Sequence, residues 1–135
     1  RGEEFAGWPY QVWEHGIYTF TRSVRTPDWL MIRVLHPGLY PYDEPIMLHD
    51  MRADPHQATN LAAERPEIVG ELSALMEEWR QEQIQKGGAP DPLEQMVAEG
   101  PFPYYSPERM FERLEQTGRA HVIPELKARL KRYQP

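Results

Sequence analysis

Cysteine is absent from this 135-residue chain, which removes disulfides, thiolate metal ligands and a thiol nucleophile together. That absence separates no compartments, because periplasmic, secreted and cytoplasmic proteins all tolerate it. No stretch approaches the ~18–20 consecutive apolar residues of a membrane-spanning helix, so no membrane association is expected. Basic charge is never concentrated: 15 Lys and Arg lie scattered among 21 Asp and Glu, for a net charge of −6. Phosphate neutralisation needs a clustered basic face, so nucleic acid is not an expected partner. Internal repeats and low-complexity tracts are missing too, as is any leader-like segment. The chain opens on Arg1 rather than methionine and is expected to be a piece of a longer protein.

Apolar residues make up 40%, under the usual ~45–50%, so the core must be modest. The chain is nevertheless rich in large rings, with four Trp, seven Tyr and four Phe, more than a disordered chain would carry. Fourteen prolines call for many turns.

Texture divides the chain into a lead-in segment over residues 1–15, a sheet-plus-helix unit over 16–86, and a helical appendix over 87–135. The lead-in is rich in Trp and Gly and reads as a loop or short strand. Tyr18, Phe20 and Val24 share one parity, with Thr19, Thr21 and Ser23 on the other, as in a strand covered on one face. Arg22 breaks the apolar parity and is expected near an end or beneath a partner. Thr26-Pro27-Asp28-Trp29 suits a β-turn with proline second. The nearly continuous apolar run Trp29–Leu35 follows, so 17–25 and 29–36 should form an antiparallel hairpin. Prolines rule out regular structure over 36–45, and Ile46–Met51 is long enough for another strand.

Asp54-Pro55-His56-Gln57 has the order of a helix opening: a capping acid, proline at the first position, and an amide reaching back. Pro66 opens a longer helix, with Ile68, Leu72, Leu75, Met76 and Trp79 on one face and an end near Lys86. In the appendix, Leu93–Glu99 reads as one or two helical turns and Gly100–Tyr105 as an aromatic loop. Ser106 should cap a helix that starts at Pro107 and closes at Gly118, and a last helix spans Pro124–Tyr133. The expected fold class is therefore α+β: a small antiparallel sheet of three to four strands covered by an amphipathic helix, with a helical C-terminal appendix.

Several groups invite chemistry. His49, Asp50, Asp54 and His56 are close enough in sequence to gather a divalent metal, but their spacing fits no strong signature and Asp54 already has a capping role, so no metal site is expected. Glu14 and His15 could pair as base and orienter, yet neighbours on a strand point to opposite faces. Arg22, Arg25 and Arg33 could offer guanidinium forks to an anion such as sulfate, or pair with the surplus acids. Ser106 lacks a nearby base and reads as a cap, while Phe102, Tyr104 and Tyr105 suit stacking on a sugar, a partner or the chain's own core. Nothing assembles nucleophile, base and oxyanion donors, so no catalytic residue is expected.

From Tyr18 to Trp79 the chain resembles the C-terminal subdomain of the bacterial-type sulfatase family, within the alkaline phosphatase superfamily. The residues that carry the resemblance are Val24-Arg25-Thr26-Pro27-Asp28-Trp29, Leu48-His49-Asp50-Met51, and Asp54-Pro55-His56-Gln57-Ala58-Thr59-Asn60-Leu61-Ala62. The family form is a V-R-T turn, a strand, L-Y-D-L, then D-P-x-E-x-x-N-L and a helix ending near a tryptophan. His49 stands where tyrosine is usual, Gln57 where glutamate is, and Leu30 where a basic residue often follows the turn.

The resemblance implies a parent that hydrolyses sulfate esters with a formylglycine, made from Cys or Ser in C/S-x-P-x-R, and a calcium ion held by carboxylates. Neither that string nor an Asp-rich segment occurs here, so this chain is expected to be the non-catalytic scaffold, with no cofactor of its own. Its implied partner is the N-terminal sulfatase domain, and the isolated piece should self-associate through the interface it uncovers. In the family this subdomain borders the active-site mouth, so His15, Arg25 and His36 are its candidate cleft-lining residues. The competing expectations are a free-standing protein- or glycan-interaction module, or the equivalent piece of a related phosphatase or phosphonate hydrolase.

Overall fold

The computed structural model describes residues 7–38, 42, 44–98 and 107–132. The fold is α+β. Four antiparallel strands, β1 (Gln11–Gly16), β2 (Phe20–Arg25), β3 (Trp29–His36) and β4 (Ile46–Asp50), lie in the order β1-β2-β3-β4. The helices are α1 (Pro66–Gly87), α2 (Pro92–Ala98), α3 (Pro107–Gln116) and α4 (Ile123–Arg132), with a 3₁₀ turn over Ala120–Val122 before the last. The lead-in therefore holds most of a true strand, which extends the expected hairpin into a meander.

The β2–β3 hairpin is tight because Thr26 and Trp29 close it. Thr26 donates its N–H to the Trp29 carbonyl (2.9 Å) and its hydroxyl accepts the Trp29 N–H (3.0 Å), leaving Pro27 and Asp28 as the loop. Register then places Val12, Val24, Met31 and Leu48 in line across all four strands. Leu72 and Met76 of α1 press onto that line, and these buried residues make up the main core cluster. Each such side chain contributes about 1.5–3 kcal/mol when fully buried, so the core is a few layers rather than a mass. Ile68, Leu75 and Trp79 flank it half-buried while Glu71, Glu77 and Glu78 face solvent, as the helical spacing predicts.

Two expectations fail here. The helix at Asp54 does not form. Gln57 adopts a left-handed backbone (φ 56°), and the Asp54 carboxylate accepts the Thr59 N–H (2.8 Å), so an acid followed by proline caps a turn instead. Nor is β2 covered on one face only, because Thr21 and Ser23 are buried as well as Phe20 and Val24, at 7% and 4% exposure. On their face, Ser23 lies between Trp13 and Ile32 and Thr21 between His15 and Val34, so short side chains are shaded by taller neighbours.

Near its end β3 gains one residue relative to β2: Thr21 pairs with Val34, but Phe20 pairs with His36. The extra residue, Leu35, turns His36 onto the Phe20 face, where the two rings meet edge-on with centroids 6.3 Å apart. Gly38 follows with φ 58°, and a Cβ there would fall 1.9 Å from the Tyr18 carbonyl oxygen, so only glycine fits. Gly118, also left-handed (φ 71°), closes α3 as expected. The Gly100–Tyr105 loop and its aromatic rings, the Ser106 cap, and the ends of the helical stretches at Glu99 and Tyr133 lie outside the described residues.

Candidate functional site

The site with most built structure lies where β1, α1 and α2 meet. Arg22, in mid-strand on β2, is 3% exposed. Its Nε donates to Glu14 Oε1 on β1 (2.6 Å), its Nη2 donates to Asp91 Oδ2 just ahead of α2, and Glu94 Oε1 stands 3.8 Å from Nη1. Asp91 is itself buried, and its other oxygen accepts the N–H groups of Leu93 (3.0 Å) and Glu94 (3.2 Å), capping α2. A buried guanidinium needs such company, because taking one charge out of water alone costs several kcal/mol. Glu94 also accepts from Arg80 of α1 (3.3 Å), whose fork grips Glu77 through two bonds of 2.9 Å. These bonds, with one from Gln81, hold the Glu77 carboxyl down at about 2.

Beside this network runs a groove between β1 and the C-terminal half of α1. One part, about 230 Å³, is lined by Glu14, Trp79, Arg80, Ile84, Pro90 and Asp91, among others. A wider part, about 750 Å³, continues past Trp8, Tyr10, Val12, Trp79, Gln83 and Lys86. Among the described residues, neither part has a serine, threonine, cysteine or histidine in its wall. Its carboxylates are engaged, Glu14 and Asp91 by Arg22 and Glu82 by Lys86, so the groove presents apolar rings edged by ion pairs.

The three residues proposed to line a cleft do not share one. His15 and Arg25 are exposed on the same sheet face, but His15 pairs with Thr21 and Arg25 with Gln11, four residues apart along the strands, or ~13 Å. His36 points to the opposite face and is buried, its Nδ1 accepting the Gly38 N–H (3.0 Å). Burial pushes its pKa below the ordinary histidine value.

The metal-like cluster disperses as well. His49 Nδ1 meets the Thr59 carbonyl (2.8 Å), Asp50 accepts the N–H groups of Arg52 and Ala53 (2.9 Å each), and Asp54 serves Thr59. Those backbone bonds hold the Asp50 carboxyl below its usual range. Among the described residues no three His, Asp or Glu are grouped so that they could hold a metal ion. The arginines separate too: Arg22 takes the acids, Arg33 donates to Ser73 (3.0 Å), and Arg25 stays on the other face. Glu14 and His15 diverge to opposite faces, as alternation requires.

Sequence reasoning missed Asp91 and the groove. The Asp91-Pro92 pair carries the same acid-then-proline signal that misled at Asp54, and here it does open a helix. No known family's sequence pattern matches this chain, and no curated protein matches it either.

Proposed function

We propose that this chain is the C-terminal, non-catalytic subdomain of a sulfatase-like hydrolase, a scaffold whose parent cleaves sulfate esters. The observation that carries the reading is the position of the residues behind the resemblance: they make the crossing from sheet to helix. Asn60 Oδ1 accepts the N–H groups of Leu48 (2.8 Å) and Ala62 (3.0 Å), while its Nδ2 donates to the Ile46 carbonyl (3.1 Å) and to Glu44. Asp54 organises the preceding turn, and Thr26 closes the hairpin. A motif whose members support one another in this way describes a fold, not an active site.

Formylglycine and calcium would belong to the parent, and this chain's residues do not fit either group. It has no cysteine, no serine in an S-x-P-x-R string, and, among the described residues, no group of carboxylates that could hold a metal ion. The N-terminal sulfatase domain is the partner this reading requires.

The test is the reading frame upstream of Arg1, which should encode C/S-x-P-x-R followed by an Asp-rich segment. An aryl sulfate assay should find no turnover by these 135 residues alone. Calcium-dependent hydrolysis by the isolated chain, or an upstream frame without that string, would overturn the proposal. A second reading, a free-standing interaction module, draws on the exposure of Trp8 (72%) and Trp13 (42%). A native start codon directly before Arg1 would favour it. The equivalent piece of a related phosphatase or phosphonate hydrolase would differ only in the upstream catalytic string.

A further inference from the structure

Along an antiparallel pair, hydrogen-bonded and non-bonded positions alternate, so every second residue of an edge strand turns its N–H and C=O away from the sheet. The hairpin sets the phase. Thr26 and Trp29 are a bonded pair, so β2 residues 21, 23 and 25 bond towards β1. Gln11, Trp13 and His15 therefore bond inward, while Val12, Glu14 and Gly16 present their backbone groups outward. The same count turns Ile46, Leu48 and Asp50 outward on β4, and there each has a partner: Asn60 for Ile46 and Leu48, Leu61 for the Leu48 carbonyl, Asp54 for the Asp50 carbonyl. The outward groups of Val12 and Glu14 have none among the described residues.

An unpaired row of alternating donors and acceptors is complementary to one thing, the backbone of another extended strand. The groove between β1 and α1 lies along this row, so a strand added there would drop alternate side chains against Trp79 and Tyr10. Its remaining side chains would lie by Trp13. Two exposed large apolar residues, Trp8 and Trp13, line this groove. A second copy offering its own β1 would not fill the groove, because its Val12 is packed on its core and its Glu14 is bound to Arg22.

We propose that the outer edge of β1 takes up an extended segment of a separate polypeptide, with apolar side chains at alternate positions, as a fifth strand seated in the β1–α1 groove. This stands apart from the sulfatase reading and survives its failure.

The test pans a phage-displayed library of random decapeptides against the whole chain, then titrates the enriched peptide in synthetic form. N-methylating the peptide amides of one parity should weaken binding about a hundredfold through the lost backbone bonds, and the other parity should leave it nearly unchanged. Amide exchange at Val12 and Glu14 should slow when the peptide is added. Gln83→Trp, which fills the groove from an exposed helical position, should cut affinity about tenfold while the circular dichroism of the chain is unchanged. Three results would overturn the proposal: no enriched peptide, equal loss from both methylation parities, or Val12 and Glu14 amides already protected in a peptide-free dimer.

Discussion

The two edges of the sheet are finished in opposite ways. On β4 a single amide side chain, Asn60, bonds Ile46 and Leu48, and the N–H groups of Leu61 and Asp54 take the Leu48 and Asp50 carbonyls. On β1 nothing among the described residues bonds the outward backbone, and the strand is held instead from one face, through Glu14 on Arg22. A capped edge resists a further strand, and an open edge invites one. The difference lies in chain connectivity. The segment after β4 turns back at once through Asp54 and Asn60 on its way to α1, whereas the described residues just ahead of β1, 7–10, give its outward edge no hydrogen bond.

The comparison breaks most sharply at Arg22. Arg22→Ala leaves Asp91 as a buried charge without its cation and should cost about 3–5 kcal/mol in urea unfolding, with β1 loosened first. Arg22→Met combined with Asp91→Asn should recover most of that loss, since asparagine still caps α2 and the buried Asp91 charge is gone, while Glu14 keeps access to water. Next in size, Asn60→Ala should cost about 1–3 kcal/mol and speed exchange of the Leu48 amide. Because it uncovers a second edge, it should also raise aggregation of the chain in light scattering.

A smaller effect is expected from pH. His36 has a lowered pKa in the fold, so below about 6.5 the unfolded chain binds a proton that the folded chain refuses. Its contribution is complete above that value and drains as pH falls towards the folded pKa. His36→Gln should flatten this part of a stability–pH curve measured by thermal melting. Smallest is Glu77→Gln on the β1 side of the molecule. Glu77 is exposed, so losing its grip on Arg80 should cost only a few tenths of a kcal/mol at pH 7. The carboxyl is depressed to about 2 from 4.5, so the gap between variant and wild type should close as pH falls through that range.

Much of the frame was legible before any coordinates. The nearly continuous apolar run from Trp29 to Leu35, the Thr26–Trp29 turn and the period of Ile68, Leu72, Leu75, Met76 and Trp79 are local signals, and each became the element it indicated. Arg22 was readable as a residue near a strand end or beneath a partner, and in mid-strand it is the second. Its partner was not. Asp91 is 69 residues away, and no periodicity or turn chemistry reports a contact at that range. Asp54-Pro55 and Asp91-Pro92 carry the same capping signal, and only tertiary context decided that the first makes a turn and the second a helix. His36 ends on the Phe20 face rather than on the His15 face because the extra residue at Leu35 inverts its parity.

The distance from Arg22 to Asp91 also sets an order of assembly. Asn60 reaches Leu48 across 12 residues, so closing that loop is entropically cheaper by about 1.5 kcal/mol than closing the 69-residue one to Asp91. As the chain emerges from a ribosome, β1 to β4 and most of α1 are available while Arg22 still lacks Asp91. Until α2 appears, the nascent sheet must keep that guanidinium wet or lean on Glu14 alone. Burying it therefore has to wait for Asp91 and α2, which close over the sheet-plus-helix unit as a latch.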